Sequence, residues 1–91
     1  MNYRGAQTLI KRGDEQALRT ALEQGLSPNL ANQNGWTLLM LAAVEGSVPL
    51  GRVLIEKGAD MAAMNNKADS ALTIAATKGH TLFVDMLNEQ A

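Results

Sequence analysis

The segment Gly35-Trp36-Thr37-Leu38-Leu39-Met40-Leu41-Ala42-Ala43-Val44-Glu45-Gly46 decides the fold of this chain. Thr37 has the hydroxyl that a helix N-cap needs, because its oxygen accepts an N–H that the first turn leaves without a partner. Gly46 stops the apolar run where a chain lacking a Cβ turns through the left-handed region. The segment therefore predicts a short helix over Leu38–Glu45.

Working outward, glycines recur at Gly13, Gly25, Gly46, Gly58 and Gly79, with gaps of 12, 21, 12 and 21 residues. Two helix stops every 33 residues predict two short helices per repeat. Setting residues 25–57 above 58–90 pairs Asn32 with Asn65, Leu39 with Leu72, Ala42-Ala43 with Ala75-Ala76, Leu54 with Leu87 and Glu56 with Glu89. Small and apolar positions repeat while polar ones wander, as in stacked units that share one core. The first copy is in register but degenerate, with Arg4 and Gln7 where the middle copy has Thr37 and Met40. Asn88 replaces Ile55 in the last. Both ends are polarised, and the expectation is a complete short stack with a cap at each end.

The remaining helices follow from the same signals. Ser47 caps a second helix running to about Lys57, with Pro49 in its first turn, where the missing N–H is not needed. Ser70 caps a helix to Lys78, and another covers Leu82 to about Gln90. In the first copy Gly5–Arg12 and Glu15–Gln24 are helical, with Asp14 as N-cap. The connections 26–36 and 59–69 hold Pro28, Asn29, Asn32, Gly35, Asp60, Asn65 and Asp69, which are turn formers, and are expected to project to one side. Gly51 sits inside a predicted helix, at a cost of about 1 kcal/mol against alanine, and leaves a notch. If that notch is empty, Gly51→Ala stabilises the fold.

Composition narrows the function. The chain has 91 residues, room for one domain over 1–91, and 46% are hydrophobic. Only three residues are aromatic, so Ala, Leu, Ile, Val and Met must fill the core, which suits close-packed helices. The net charge of −1 comes without a basic run, and this argues against nucleic acid. No apolar run is long enough to span a bilayer. With no cysteine, disulfides and thiolate metal sites are excluded, and the expected compartment is reducing: the cytoplasm, or the nucleus.

The segment Gly35–Gly46, followed by Val53-Leu54-Ile55-Glu56-Lys57-Gly58-Ala59-Asp60, resembles the ankyrin repeat, whose pattern runs G-x-T-P-L-H-x-A-A-x-x-G-H and then V-x-x-L-L-x-x-G-A-D-x-N. Ser70-Ala71-Leu72-Thr73-Ile74-Ala75-Ala76, Gly79-His80 and Val84-Asp85-Met86-Leu87 resemble it as well. The resemblance implies an all-α solenoid of three helix-turn-helix repeats, about 1–33, 34–66 and 67–91, with projecting turn loops. Departures are Leu38-Leu39-Met40 and Ala71-Leu72-Thr73 in place of Pro-Leu-His, Ala62 for the turn asparagine, and Ala68 opposite Gly35.

No catalytic constellation assembles. His80, the sole histidine, matches the family's Gly-His at a helix opening, and a general base needs a nucleophile and an orienting group beside it. Ser27, Ser47 and Ser70 stand where turns or N-caps want hydroxyls, and Asp14-Glu15 and Asp60 lie at helix or loop ends. No phosphate loop or metal-ligand spacing occurs, so no cofactor is expected. Met40, Met61 and Met86 read as core filling and Met64 as exposed.

By resemblance the working surface is the concave side, built from loop tips and first helices. Residue by residue it comprises Ala31, Gln33, Asn34, Trp36, Val44 and Glu45 from the middle repeat, and Met64, Asn66, Lys67, Asp69, Thr77 and Lys78 from the last. Lys11 and Arg12 extend it into the cap. Trp36 is the expected anchor, as tryptophan is enriched among interface hot spots. The expected function is non-catalytic binding of a protein or peptide by a monomer. The competing reading is a structural spacer or self-associating unit, and exposure of Trp36 and Met64 as one patch separates the two.

Overall fold

A computed structural model describes residues 1–90; Ala91, the last residue of the expected domain, lies outside the described residues. Among the described residues six helices follow one another: α1 (Tyr3–Arg12), α2 (Glu15–Glu23), α3 (Leu38–Glu45), α4 (Val48–Glu56), α5 (Ala71–Thr77) and α6 (Thr81–Glu89). The first helices α1, α3 and α5 pack side by side in one layer, and α2, α4 and α6 form the second. Each first helix also packs on its own partner, giving three pairs stacked in chain order.

Local chemistry sets the ends of these helices. Thr37 Oγ1 accepts from Met40 N at 3.2 Å, Asp14 Oδ1 from Ala17 N at 3.1 Å, Ser70 Oγ from Thr73 N at 3.3 Å and Ser47 Oγ from Leu50 N at 3.5 Å. Where the family has histidine, Met40 Sδ accepts from Thr37 N at 3.4 Å, closing a reciprocal cap. α1 starts at Tyr3, two residues earlier than expected, because Asn2 Oδ1 accepts from Gly5 N at 2.9 Å and adds an unforeseen cap. The other helix boundaries fall within about one residue of expectation, the ordinary fraying of an end.

α3 is apolar almost all round because it is enclosed by α1, α5 and α4, with Leu38, Leu39, Met40, Ala42 and Ala43 buried. The core continues through Ile10 and Leu18 on one side and Phe83 and Met86 on the other. Helices of seven to ten residues are marginal alone, so this shared core stabilises all six together.

Gly51 departs from its expectation. A Cβ built on it would lie 2.6 Å from Met86 Cε and 2.8 Å from Phe83 Cε2. The notch in α4 is therefore filled by α6, and the glycine is a close-approach site.

The two long connections end in matching turns. Asn32 Oδ1 accepts from Asn34 N and Trp36 N at 2.9 and 3.0 Å, and Asn65 Oδ1 accepts from Lys67 N and Asp69 N at 2.9 and 3.1 Å. The turns join in register through Asn66 N donating to Asn34 O at 2.9 Å. Gly35 takes φ 81°, and Ala68 at the same place takes φ 64°, a left-handed conformation that alanine adopts only under strain. Asn29 links repeats further down, its Oδ1 accepting from Asp60 N at 2.7 Å and its Nδ2 donating to Gly58 O at 3.2 Å.

Candidate functional site

The loop turns and the first-helix layer leave two grooves. One, of about 160 Å³, lies between the second and third repeats and is lined by Trp36, Val44, Asp69, Ile74, Thr77 and Lys78. The other, also about 160 Å³, lies between the first and second repeats and is lined by Gln7, Ile10, Lys11, Leu41, Val44 and Glu45. Val44, one residue before the end of α3, belongs to both, so the grooves meet on a single face.

Each groove has an apolar floor and charged rims. Ile74 and half-buried Trp36 and Val44 floor the first, with Asp69 and Lys78 as its charges. Ile10, half-buried Leu41 and Val44 floor the second, with Lys11 and Glu45 as its charges. Such a surface can hold an apolar side chain and orient its neighbours by charge. Among the described residues no cluster of three His, Cys, Asp or Glu could hold a metal ion.

The structure brings together Trp36, Val44, Asp69, Thr77 and Lys78 in one groove, and Val44, Glu45 and Lys11 in the other. Ala31, Gln33, Asn34, Asn66 and Lys67 are exposed on the turns and line neither groove. Met64 is 64% exposed on the loop but likewise outside both, and Trp36 is half-buried, so the two are not exposed as the single patch expected of a binding module. Arg12 is exposed at the end of α1. Trp36 is half-buried and packed against the core, so its ring serves both the groove and the fold. Gln7, Ile10, Leu41 and Ile74 are groove residues outside the surface expected from sequence. Leu41 and Ile74 stand at 33-residue spacing, and periodicity marks an apolar position without saying whether it lines a groove.

His80 has a structural task. Its Nε2 lies 3.0 Å from the Val44 carbonyl oxygen, and its ring packs against Gly46, where any Cβ would meet it at 2.6 Å. It thus ties the start of α6 to the end of α3 across the repeat boundary. No helix among the described residues is long and apolar enough to cross a membrane.

A family model described as "Ankyrin repeats (3 copies)" matches residues 7–91. The chain is 40% identical over 78 residues to the Drosophila melanogaster "Ankyrin repeat and KH domain-containing protein mask", covering 84% of this chain and 2% of the fly protein. It is 49% identical over 57 residues to human "Ankyrin repeat domain-containing protein 17", 60% of this chain and 2% of that protein. With mouse "Ankyrin repeat family A protein 2" the identity is 35% over 80 residues, 88% of this chain and 26% of the relative. The chain thus spans only a small part of the curated relatives it matches. It belongs to the ankyrin-repeat family, whose repeats are in general protein–protein interaction modules and generally non-catalytic.

Proposed function

We propose that this chain is a non-catalytic recognition module that holds a polypeptide partner on its first-helix face. The observation that carries the reading is the pair of apolar-floored grooves meeting at Val44. A partner would seat an apolar side chain against Trp36, Val44 and Ile74, place an acidic residue toward Lys78 and a basic one toward Asp69. The turn residues Asn34, Asn66, Lys67 and Met64 would form the outer rim. Recognition of this kind concentrates in a few desolvated anchors within a polar surround.

The test uses a displayed random-peptide library selected on the immobilised chain, with enriched sequences synthesised and titrated by calorimetry. Trp36→Ala and Val44→Gln should each weaken binding by about 2 kcal/mol, the hot-spot range. Arg52→Glu, on the second-helix side, should leave it unchanged. Peptides that bind the wild type and both groove variants equally would refute this face as the site.

A further inference from the structure

An ion pair on the second-helix side repeats with the stack. Arg19 Nη1 lies 2.7 Å from Glu56 Oε2, and Arg52 Nη2 lies 3.4 Å from Glu89 Oε2. Each reaches 37 residues forward, from the arginine of one repeat to the glutamate of the next. Glu23, Glu56 and Glu89 share one register, while Arg19 and Arg52 share another whose third place is Asp85. The third repeat therefore presents an exposed carboxylate where the first two present a guanidinium.

The same outward flank carries uncovered apolar surface. Leu72 is 40% exposed, whereas its counterparts Ala6 and Leu39 are 0% and 1% exposed. Ala76 is exposed, whereas Ile10 and Ala43 are fully buried. Contact between repeats covers these positions twice within the molecule, so the flank continues an interface already built. A helix pair stacked in the same register is the body that fits it.

Charge selects which helix pair. A second copy adding head to tail would bring its Glu23, whose carboxylate also lies 3.6 Å from its own Lys57 Nζ, to Asp85, setting two carboxylates where the stack elsewhere sets opposite charges. Like charges at that spacing oppose docking. The approaching flank would also offer Thr20 at the register of Val53 and Met86. We propose that the outer flank of the third repeat docks a helix pair bearing arginine or lysine at the glutamate register, and that Asp85 keeps a second copy of this chain off it.

Charge reversal supplies the stated partner from the chain itself. Asp85→Arg would face Glu23 of the next copy, and Glu23→Arg would face the next copy's Asp85. Exchanging repulsion for attraction at an exposed pair makes each single variant self-associate roughly tenfold more tightly than the wild type in sedimentation equilibrium. The double variant opposes arginine to arginine and returns to wild-type behaviour. Glu45→Arg makes the same change in net charge on the first-helix face and should not associate. Adding Leu72→Glu to Asp85→Arg should abolish the gain. Thermal melts confirm that each variant is folded, and lysine replacements serve for any arginine variant that is not. The proposal is overturned if neither single variant gains association, if the double associates as they do, if Glu45→Arg matches them, or if Leu72→Glu changes nothing.

Discussion

Replacing Gly51 by alanine opposes two effects whose sizes the structure sets. A glycine inside a helix costs about 0.8–1 kcal/mol relative to alanine, so helix propensity alone favours Gly51→Ala. Against this, the new methyl would lie 2.6 Å from Met86 Cε, 2.8 Å from Phe83 Cε2 and 3.0 Å from Phe83 Cζ, where ordinary contact begins at 3.4 Å. The Met86 methyl ends a flexible side chain and can swing aside. The Phe83 ring is fully buried, so it must retreat by roughly half an ångström against neighbours already close-packed. Overpacking of this kind costs about 1–3 kcal/mol. The net expectation is a loss of about 1 kcal/mol, which lowers the thermal midpoint by about 4–8 °C in a domain of this size. Far-UV circular dichroism melts of Gly51→Ala and wild type measure it. The cause is isolated in a Phe83→Leu background, where the ring atoms are gone and Gly51→Ala should cost less or even stabilise. A raised midpoint in the wild-type background, or the same loss in both, would refute the argument.

Ala68→Gly should stabilise the fold by about 0.5–1 kcal/mol, because relief of left-handed strain exceeds the added freedom of the unfolded chain; urea titration checks it, and a loss would mean the Ala68 side chain contributes packing that outweighs the strain. The hydrogen bond and charge of Arg19 hold the Glu56 carboxyl below the ordinary glutamate range. A lowered folded value means that this contribution is present above the ordinary glutamate pKa and is lost as pH falls through the folded one. The stability gap between wild type and Glu56→Gln should therefore shrink on acidification in pH-dependent urea melts, whereas a gap constant with pH would show the pair to be inert.

The elements themselves were legible because their causes are local. Thr37, Ser47, Ser70 and Asp14 cap helices by bonding to N–H groups three residues on, and glycines at 33-residue spacing release the chain at φ values that a lone residue decides. Much of the candidate site was legible too, since Trp36, Val44, Asp69, Thr77 and Lys78 sit at family positions that fold into one groove, and Lys11 and Glu45 line the other. Other features were decided only when distant residues met. Phe83 and Met86 fill the space at Gly51, Leu41 stays half-exposed in one groove while buried Ile74 floors the other, Trp36 leans on the core, and His80 reaches the Val44 carbonyl. A cap depends on the few residues around it, so sequence by itself determined the repeat and its helices. Groove depth, close approach and the arginine–glutamate rungs depend on which side chains from helices a full repeat apart share the same volume, and only the tertiary packing decides that.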